Sequence, residues 1–215
     1  MRLLGDDLVC ARGARVIIDG LSFEVGAGSG LKLTGMNGSG KTTLLRAIAG
    51  FLALRSGSVR LEGGDDERDL GEQCHFIGHA NGIKASFTVR ENLTFWQSFL
   101  AGYVQSAEID EVLARFDLDD LAEIPAGYLS AGQKRRLGLA RLLVAKRPVW
   151  LLDEPTVSLD HRSAKLVGAI VDAHISGGGI AVAATHLPLA IKLDQELRLG
   201  AATGPGPDIA EGMEG

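Results

Sequence analysis

Cysteine is nearly absent from this 215-residue chain: Cys10 and Cys74 lie far apart, with no CxxC and no ligand cluster around either. That argues against a disulfide framework and against a zinc site, and both thiols read as reduced and packed. Also missing is any apolar run near the eighteen or so residues a membrane span needs, and Asp6 and Asp7 interrupt the start Met1-Arg2-Leu3-Leu4 before it could serve as a signal. The expectation is a chain that stays in the cytosol unless something recruits it. Excess positive charge is lacking too. With 22 Lys and Arg against 27 Asp and Glu the formal charge is −5, which argues against extended phosphate-backbone binding, so no nucleic acid partner is expected. No internal repeat is found. What is present is 46% apolar residues, enough to bury a core in one domain or a two-lobed one.

Along the chain, Val16-Ile17-Ile18 and Leu21-Ser22-Phe23-Glu24-Val25 read as short strands joined by a tight turn at Asp19-Gly20. Residues 31–34 form a further strand running into a glycine-rich loop, and residues 42–50 read as a helix. Residues 58–62 alternate like an edge strand, and 63–71 read as a charged surface loop. From Thr88 through Phe116 the pattern is helical, with Phe95, Trp96 and Phe99 clustered. Residues 149–152 and 180–184 are the short apolar runs of buried parallel strands, separated by a helical pattern from Arg162 to Ile175. An α/β core follows. After Leu199 periodicity is lost, and 201–215 read as a flexible tail.

Three local patterns carry chemistry. Gly35-Met36-Asn37-Gly38-Ser39-Gly40-Lys41-Thr42 fits GxxxxGK(S/T) between a predicted strand and a predicted helix. Its glycines let backbone amides converge on a phosphate, Lys41 reaches the β and γ oxygens, and Thr42 offers a hydroxyl to Mg²⁺. Val149-Trp150-Leu151-Leu152 runs into Asp153-Glu154-Pro155-Thr156, two carboxylates at the C-terminal end of a buried strand. Asp153 suits Mg²⁺, and Glu154 suits orientation and deprotonation of an attacking water. Read alone, the pair is also an ordinary acidic turn. Leu129-Ser130-Ala131-Gly132-Gln133 opens a helix with small residues and free amides. Alone, Ser130 is simply an N-cap.

Together these motifs resemble the nucleotide-binding subunits of ABC transporters over nearly the whole chain. The resemblance implies a P-loop NTPase of the ABC type: a RecA-like α/β core, an N-terminal antiparallel β subdomain and a helical signature lobe at about 86–147, in one domain spanning 1–200. It makes the loop from Gly35 to Thr43 the Walker A element, with Gly35, Asn37, Gly38, Ser39, Gly40, Lys41, Thr42 and Thr43 binding ATP. Leu129 to Gln133 becomes the signature, with Ser130, Gly132 and Gln133 acting on ATP held by a second copy. Val149 to Glu154 becomes the Walker B strand, Ser158-Leu159-Asp160 the D-loop, and His186 the switch histidine. Glu154, His186 and Lys41 are then the catalytic groups, Thr42 and Asp153 the Mg²⁺ ligands, and a head-to-tail homodimer the working state. Without the resemblance His186 reads as a structural histidine and Asp160 as a helix cap.

Departures are visible. The family's glutamine falls near Ala80, where the chain has Gly78-His79-Ala80-Asn81-Gly82; His79 or Asn81 could substitute, or the segment could be a turn on Asn81-Gly82. No aromatic near the N-terminus is placed to stack on adenine; Arg12 or Arg15 could stack instead, or be plain surface arginines. Ala131 stands where glycine is commoner.

Within the family the chain most resembles the ATP-binding subunit of cytochrome c maturation systems. Gly78-His79, Gly82-Ile83-Lys84, Glu91-Asn92-Leu93, the run through Lys134-Arg135-Arg136, Trp150 and Thr185-His186-Leu187-Pro188 carry that likeness. It implies integral membrane subunits of a haem-export complex as partners and residence at the cytoplasmic face of a bacterial inner membrane. An ABC exporter for another substrate, a soluble ABC ATPase working on ribosomes or DNA, and a non-catalytic assembly module are the other expectations. Fused paired domains, coiled-coil insertions or basic arms would mark the second of these, and none is found.

Overall fold

The computed structural model describes residues 1–101, 108–185, 191 and 193–200; the expected tail at 201–215 lies outside them. Strands β1 (Arg2–Arg12), β2 (Arg15–Gly26) and β4 (Ser56–Glu62) make an antiparallel sheet in the order β2-β1-β4. Strands β3 (Gly30–Thr34), β5 (Cys74–Ile77), β6 (Val149–Asp153), β7 (Ile180–Ala184) and β8 (Gln195–Arg198) make a parallel sheet in the order β5-β6-β7-β3-β8. The helices are α1 (Lys41–Ile48), α2 (Val89–Ala101), α3 (Ile109–Arg115), α4 (Ala131–Val144) and α5 (His161–Ser176).

Why two layers of core form is written in the central strands. Every residue of β6 and β7 is buried, and side chains on a strand alternate between faces. Val149, Leu151, Ile180, Val182 and Ala184 therefore join Leu44, Leu45 and Ile48 of α1 and Leu3, Leu8 and Val25 of the antiparallel sheet in one cluster. Trp150, Leu152, Ala181 and Ala183 join Leu93, Leu113, Leu137, Val167 and Val171 of the helices in the other. Burial on both faces is why these runs are continuous rather than alternating.

Two expectations need correction. Asp19-Gly20 is not a turn between two short strands: β2 runs unbroken from Arg15 to Gly26, and the chain reverses at Gly13-Ala14, where Arg12 pairs with Arg15. Gly20 (φ 64) sits where the β1–β2 register slips between Leu8 opposite Leu21 and Cys10 opposite Ile18, so it serves a bulge, which mimics a turn signal in sequence. Residues 63–71 are not only a surface loop, because their C-terminal part enters a 3-10 turn at Leu70–Gln73. Buried Gln73 ties the segment down, accepting from Asp65 N (2.8 Å) and donating to Asp65 O (2.9 Å) and Arg68 O (3.1 Å). Cys10 and Cys74 are both buried and free.

The sheet also buries titratable groups that make stability fall with acid. His75 bonds Ala145 O through Nε2 at 2.7 Å, and burial, reinforced by nearby Arg147 and Arg141, lowers its pKa to about 3. His174 stacks on Trp150 with ring centroids 3.9 Å apart, and burial lowers its pKa to about 4. Below the ordinary histidine value the unfolded chain takes up protons that the native chain refuses, so the stability present above about pH 6.5 is lost as pH falls toward the native values. At pH 5 the expected loss is about 2 kcal/mol per histidine. Melting curves should place Tm roughly 10 °C lower at pH 5 than at pH 7, and His75→Gln/His174→Gln should flatten that dependence.

Candidate nucleotide site

Strand β3 ends at Thr34 and the chain swings through a loop whose Gly35 (φ 139), Gly38 (φ 83) and Gly40 (φ 103) take left-handed backbone before α1 begins at Lys41. Gly35 is confined as well: a Cβ there would lie 2.4 Å from Leu199 O and 2.7 Å from Ser39 Oγ. Helix α1 has no side-chain cap at Gly40 and no acid in its first turn, so its amides and positive dipole end stay available to an anion. Lys41 is nearly buried, and its ammonium donates to Gly35 O (2.7 Å) and Met36 O (3.0 Å), folded back over the loop. Ser39 is buried with no hydrogen-bond partner for its hydroxyl among the described residues.

The second motif meets the first. Asp153 closes β6, buried, and its Oδ2 accepts from Thr42 Oγ1 at 2.9 Å. A hydroxyl and a carboxylate oxygen are thus adjacent, the hard-oxygen pair that suits Mg²⁺. Glu154 follows with φ 47, and its amide donates to Ala184 O at 2.8 Å. The carboxylate-bearing turn is pinned to β7 by that bond.

Ser130 caps α4, accepting from Gln133 N (3.2 Å) while Gln133 Oε1 accepts from Ser130 N (2.8 Å), a reciprocal capping box. A Cβ on Gly132 would lie 3.2 Å from Ser158 O, so this helix start adjoins the segment before α5. Within one chain Ser130 and Gln133 bond each other and Gly132 lies beside Ser158, while Thr42 meets Asp153, with Lys41 and Glu154 next to them in the sequence. Asp160 caps α5, accepting from Ser163 N at 2.7 Å, and that bond holds its pKa below the usual range. His186 lies outside the described residues.

At the departures, His79 and Ala80 are exposed, while Asn81 Oδ1 accepts from Arg135 Nη1 at 3.1 Å and Gly82 (φ 65) turns the chain. Arg12 and Arg15 are exposed at the β1–β2 reversal. In α2 Phe95 and Phe99 stack and Trp96 meets both edge-to-face, and Lys84 Nζ lies 4.5 Å from the Phe95 ring centre.

The basic run after the signature holds what sequence reasoning misses. Lys134 donates to Gly127 O (2.9 Å), Arg136 to Phe116 O (2.7 Å) and Asp117 O (2.9 Å), and Arg135 is buried with every donor engaged. All three cations are used inside the fold.

A strand, a glycine-rich phosphate loop and a helix, with a Thr in the first turn of that helix paired to the Asp that ends another strand, define a nucleotide-binding ATPase of the P-loop class. The ABC transporter family model matches residues 18–157, and the chain belongs to that family, as an ABC-type ATPase. It is 52% identical to the cytochrome c biogenesis ATP-binding export protein CcmA of Nitrobacter winogradskyi, over 94% of this chain and 100% of that one. It is 47% identical to the protein of the same name from Bradyrhizobium diazoefficiens, over 93% of this chain and 98% of that one. Among solved structures, an ABC transporter ATP-binding protein from Pyrococcus furiosus superposes with a TM-score of 0.78 at 22% identity, covering 93% and 98% of the two chains. A bacterial Atm1-family ABC exporter with ATP bound superposes with a TM-score of 0.79 at 25% identity, over 94% of this chain and 38% of that one.

Proposed function

We propose that this chain is the ATP-hydrolysing subunit of an inner-membrane complex that supports haem export or release for c-type cytochrome biogenesis. Convergence of Thr42 with Asp153, beside Lys41 and Glu154, is the observation that carries the ATPase chemistry. Likeness to cytochrome c biogenesis export proteins along 94% of the chain carries the choice of system. No helix among the described residues is long and apolar enough to cross a membrane, so the reading requires separate integral membrane subunits, with this chain peripheral on the cytoplasmic side.

In this reading the loop amides of residues 35–42 wrap the β-phosphate, and the partnerless Ser39 hydroxyl gains a phosphate oxygen. Lys41 exchanges Gly35 O and Met36 O for the β and γ oxygens, a stronger, charge-assisted pair of bonds. Thr42 and Asp153 hold Mg²⁺, which when bound neutralises charge on the β and γ oxygens. Glu154 takes a proton from the water whose oxygen bonds to the γ-phosphorus as the bond to the bridging oxygen breaks, leaving ADP and phosphate. In the same reading Ser130, Gly132 and Gln133 act on the ATP of a second copy, and His186 acts on the γ-phosphate of the ATP that its own chain holds.

The test is a tagged pull-down from detergent-solubilised membranes at native expression, with ATP and Glu154→Gln, and mass spectrometry of what is captured. Membrane subunits of cytochrome c maturation are the expected partners. Capture of a different permease would reject the haem reading, and capture of ribosomal or DNA-associated proteins would reject the transporter reading.

A further inference from the structure

Arg135 divides its donors between two segments of the chain. Nε donates to Pro155 O (3.0 Å), Nη1 to Gly78 O (2.8 Å) and Asn81 Oδ1 (3.1 Å), and Nη2 to Asp153 O (3.2 Å) and Glu154 O (2.8 Å). A guanidinium has five N–H groups in a fixed fork, and here each has its own acceptor. Burying a cation is costly, and burial does lower the Arg135 pKa, while the charges of Asp153 and Glu154 favour the ionised form. Leucine would pack there without that cost. The acceptors explain the cation.

Three of them are the consecutive carbonyls of Asp153, Glu154 and Pro155. With the Glu154 amide held by Ala184 O, the backbone of this left-handed residue is gripped from both sides, which sets where its carboxylate leaves the turn. The other two belong to the loop after β5. That loop presses on α4: a Cβ on Gly138 would lie 2.9 Å from Asn81 Cβ. It is also anchored to α2, since Trp96 Nε1 donates to Gly82 O at 3.0 Å. One side chain therefore ties the 78–82 loop to the catalytic turn, and the Asn81 amide oxygen is the loop's side-chain leg to it.

We propose that Arg135 is a positioning residue that, through Asn81, makes the orientation of Glu154 depend on the placement of the 78–82 loop. This deepens the ATPase reading and rests on it. Displacing the loop, by a partner or otherwise, pulls on the same fork that orients Glu154. Lysine cannot replace the fork, because its three donors leave at least two of the five acceptors unmet.

The experiment uses the full chain: steady-state ATP hydrolysis, titration with a fluorescent ATP analogue, and melting curves for wild type, Asn81→Ala, Asn81→Asp, Arg135→Lys and the Asn81→Ala/Arg135→Lys pair. Small displacements of a catalytic group are costly, so Asn81→Ala should lower kcat about 5-fold and Arg135→Lys about 30-fold. Nucleotide Kd and KM should stay within about 2-fold, since the phosphate loop is untouched. Asn81→Asp keeps the acceptor oxygen and should recover kcat. If Asn81 acts through Arg135, the pair should be no slower than Arg135→Lys alone. Wild-type kcat in Asn81→Ala, or losses that multiply in the pair, would overturn the proposal while leaving the ATPase reading intact. Should Arg135→Lys fail to fold, the contrast between Asn81→Ala and Asn81→Asp at unchanged Tm still decides it. A wild-type chain that hydrolyses no ATP, alone or with its membrane partners, would overturn both.

Discussion

Glu154→Gln should bind ATP about as tightly as the wild type and turn it over at least ~100-fold more slowly. The substitution is nearly isosteric, and the features that shape the turn are backbone features: the amide bond to Ala184 O, the φ of 47 and the Arg135 grip on the carbonyls. None of these depends on the carboxylate. What disappears is the base that receives the water's proton, and general-base catalysis contributes roughly 10²–10⁴-fold. Phosphate release under single turnover, alongside equilibrium titration of nucleotide, separates the two quantities. ATP bound and not cleaved should also hold two copies together, visible as a dimer by size-exclusion chromatography with light scattering. Hydrolysis at the wild-type rate would remove Glu154 from its proposed role.

Lys41→Ala should fail earlier, at binding. In the free chain the ammonium is committed to Gly35 O and Met36 O, carbonyls that face the loop and can turn to water when it leaves. The fold loses little, and Tm should move by only a few degrees. The phosphates lose their one buried cationic partner in this loop, and truncating one member of a desolvated charge pair costs about 3 kcal/mol. That is roughly a 100-fold rise in Kd. Titration of the fluorescent analogue checks it. Asp153, untouched, should keep Thr42 as its partner, so lost affinity with a Tm shift of only a few degrees is the expected signature.

Which of these features can be recognised in the amino-acid sequence depends on whether the information is local. The phosphate loop is legible because its glycines and its lysine act within a few residues of one another, and the backbone angles at Gly35, Gly38 and Gly40 are what their type permits. Asp153 is legible because an all-apolar run is interrupted by acid at a strand end. Strand β8, Gln-Glu-Leu-Arg, is not legible, being a short, mostly polar edge strand that pairs only with β3. Strand β5 escapes because His75 spoils an otherwise apolar four-residue run, and the histidine finds its partner in Ala145 O, from a distant part of the chain. Lys134-Arg135-Arg136 looks like a solvated basic stripe. Only the helix register, with the carbonyls it brings into reach, separates a surface cation from a buried fork.

Because β6 is the common wall of two cores, variation along it has nowhere neutral to go. Val149 and Leu151 answer to one packed cluster, Trp150 and Leu152 to the other, and the same backbone delivers Asp153 and Glu154. Close-packed interiors transmit strain rather than absorb it. Changes at these four positions should therefore be seen as silenced catalysts that still accumulate, before they are seen as chains that fail to accumulate. Freedom to diverge lies instead in the stretch between β4 and the 3-10 turn, where Asp65, Asp66, Glu67 and Asp69 are exposed.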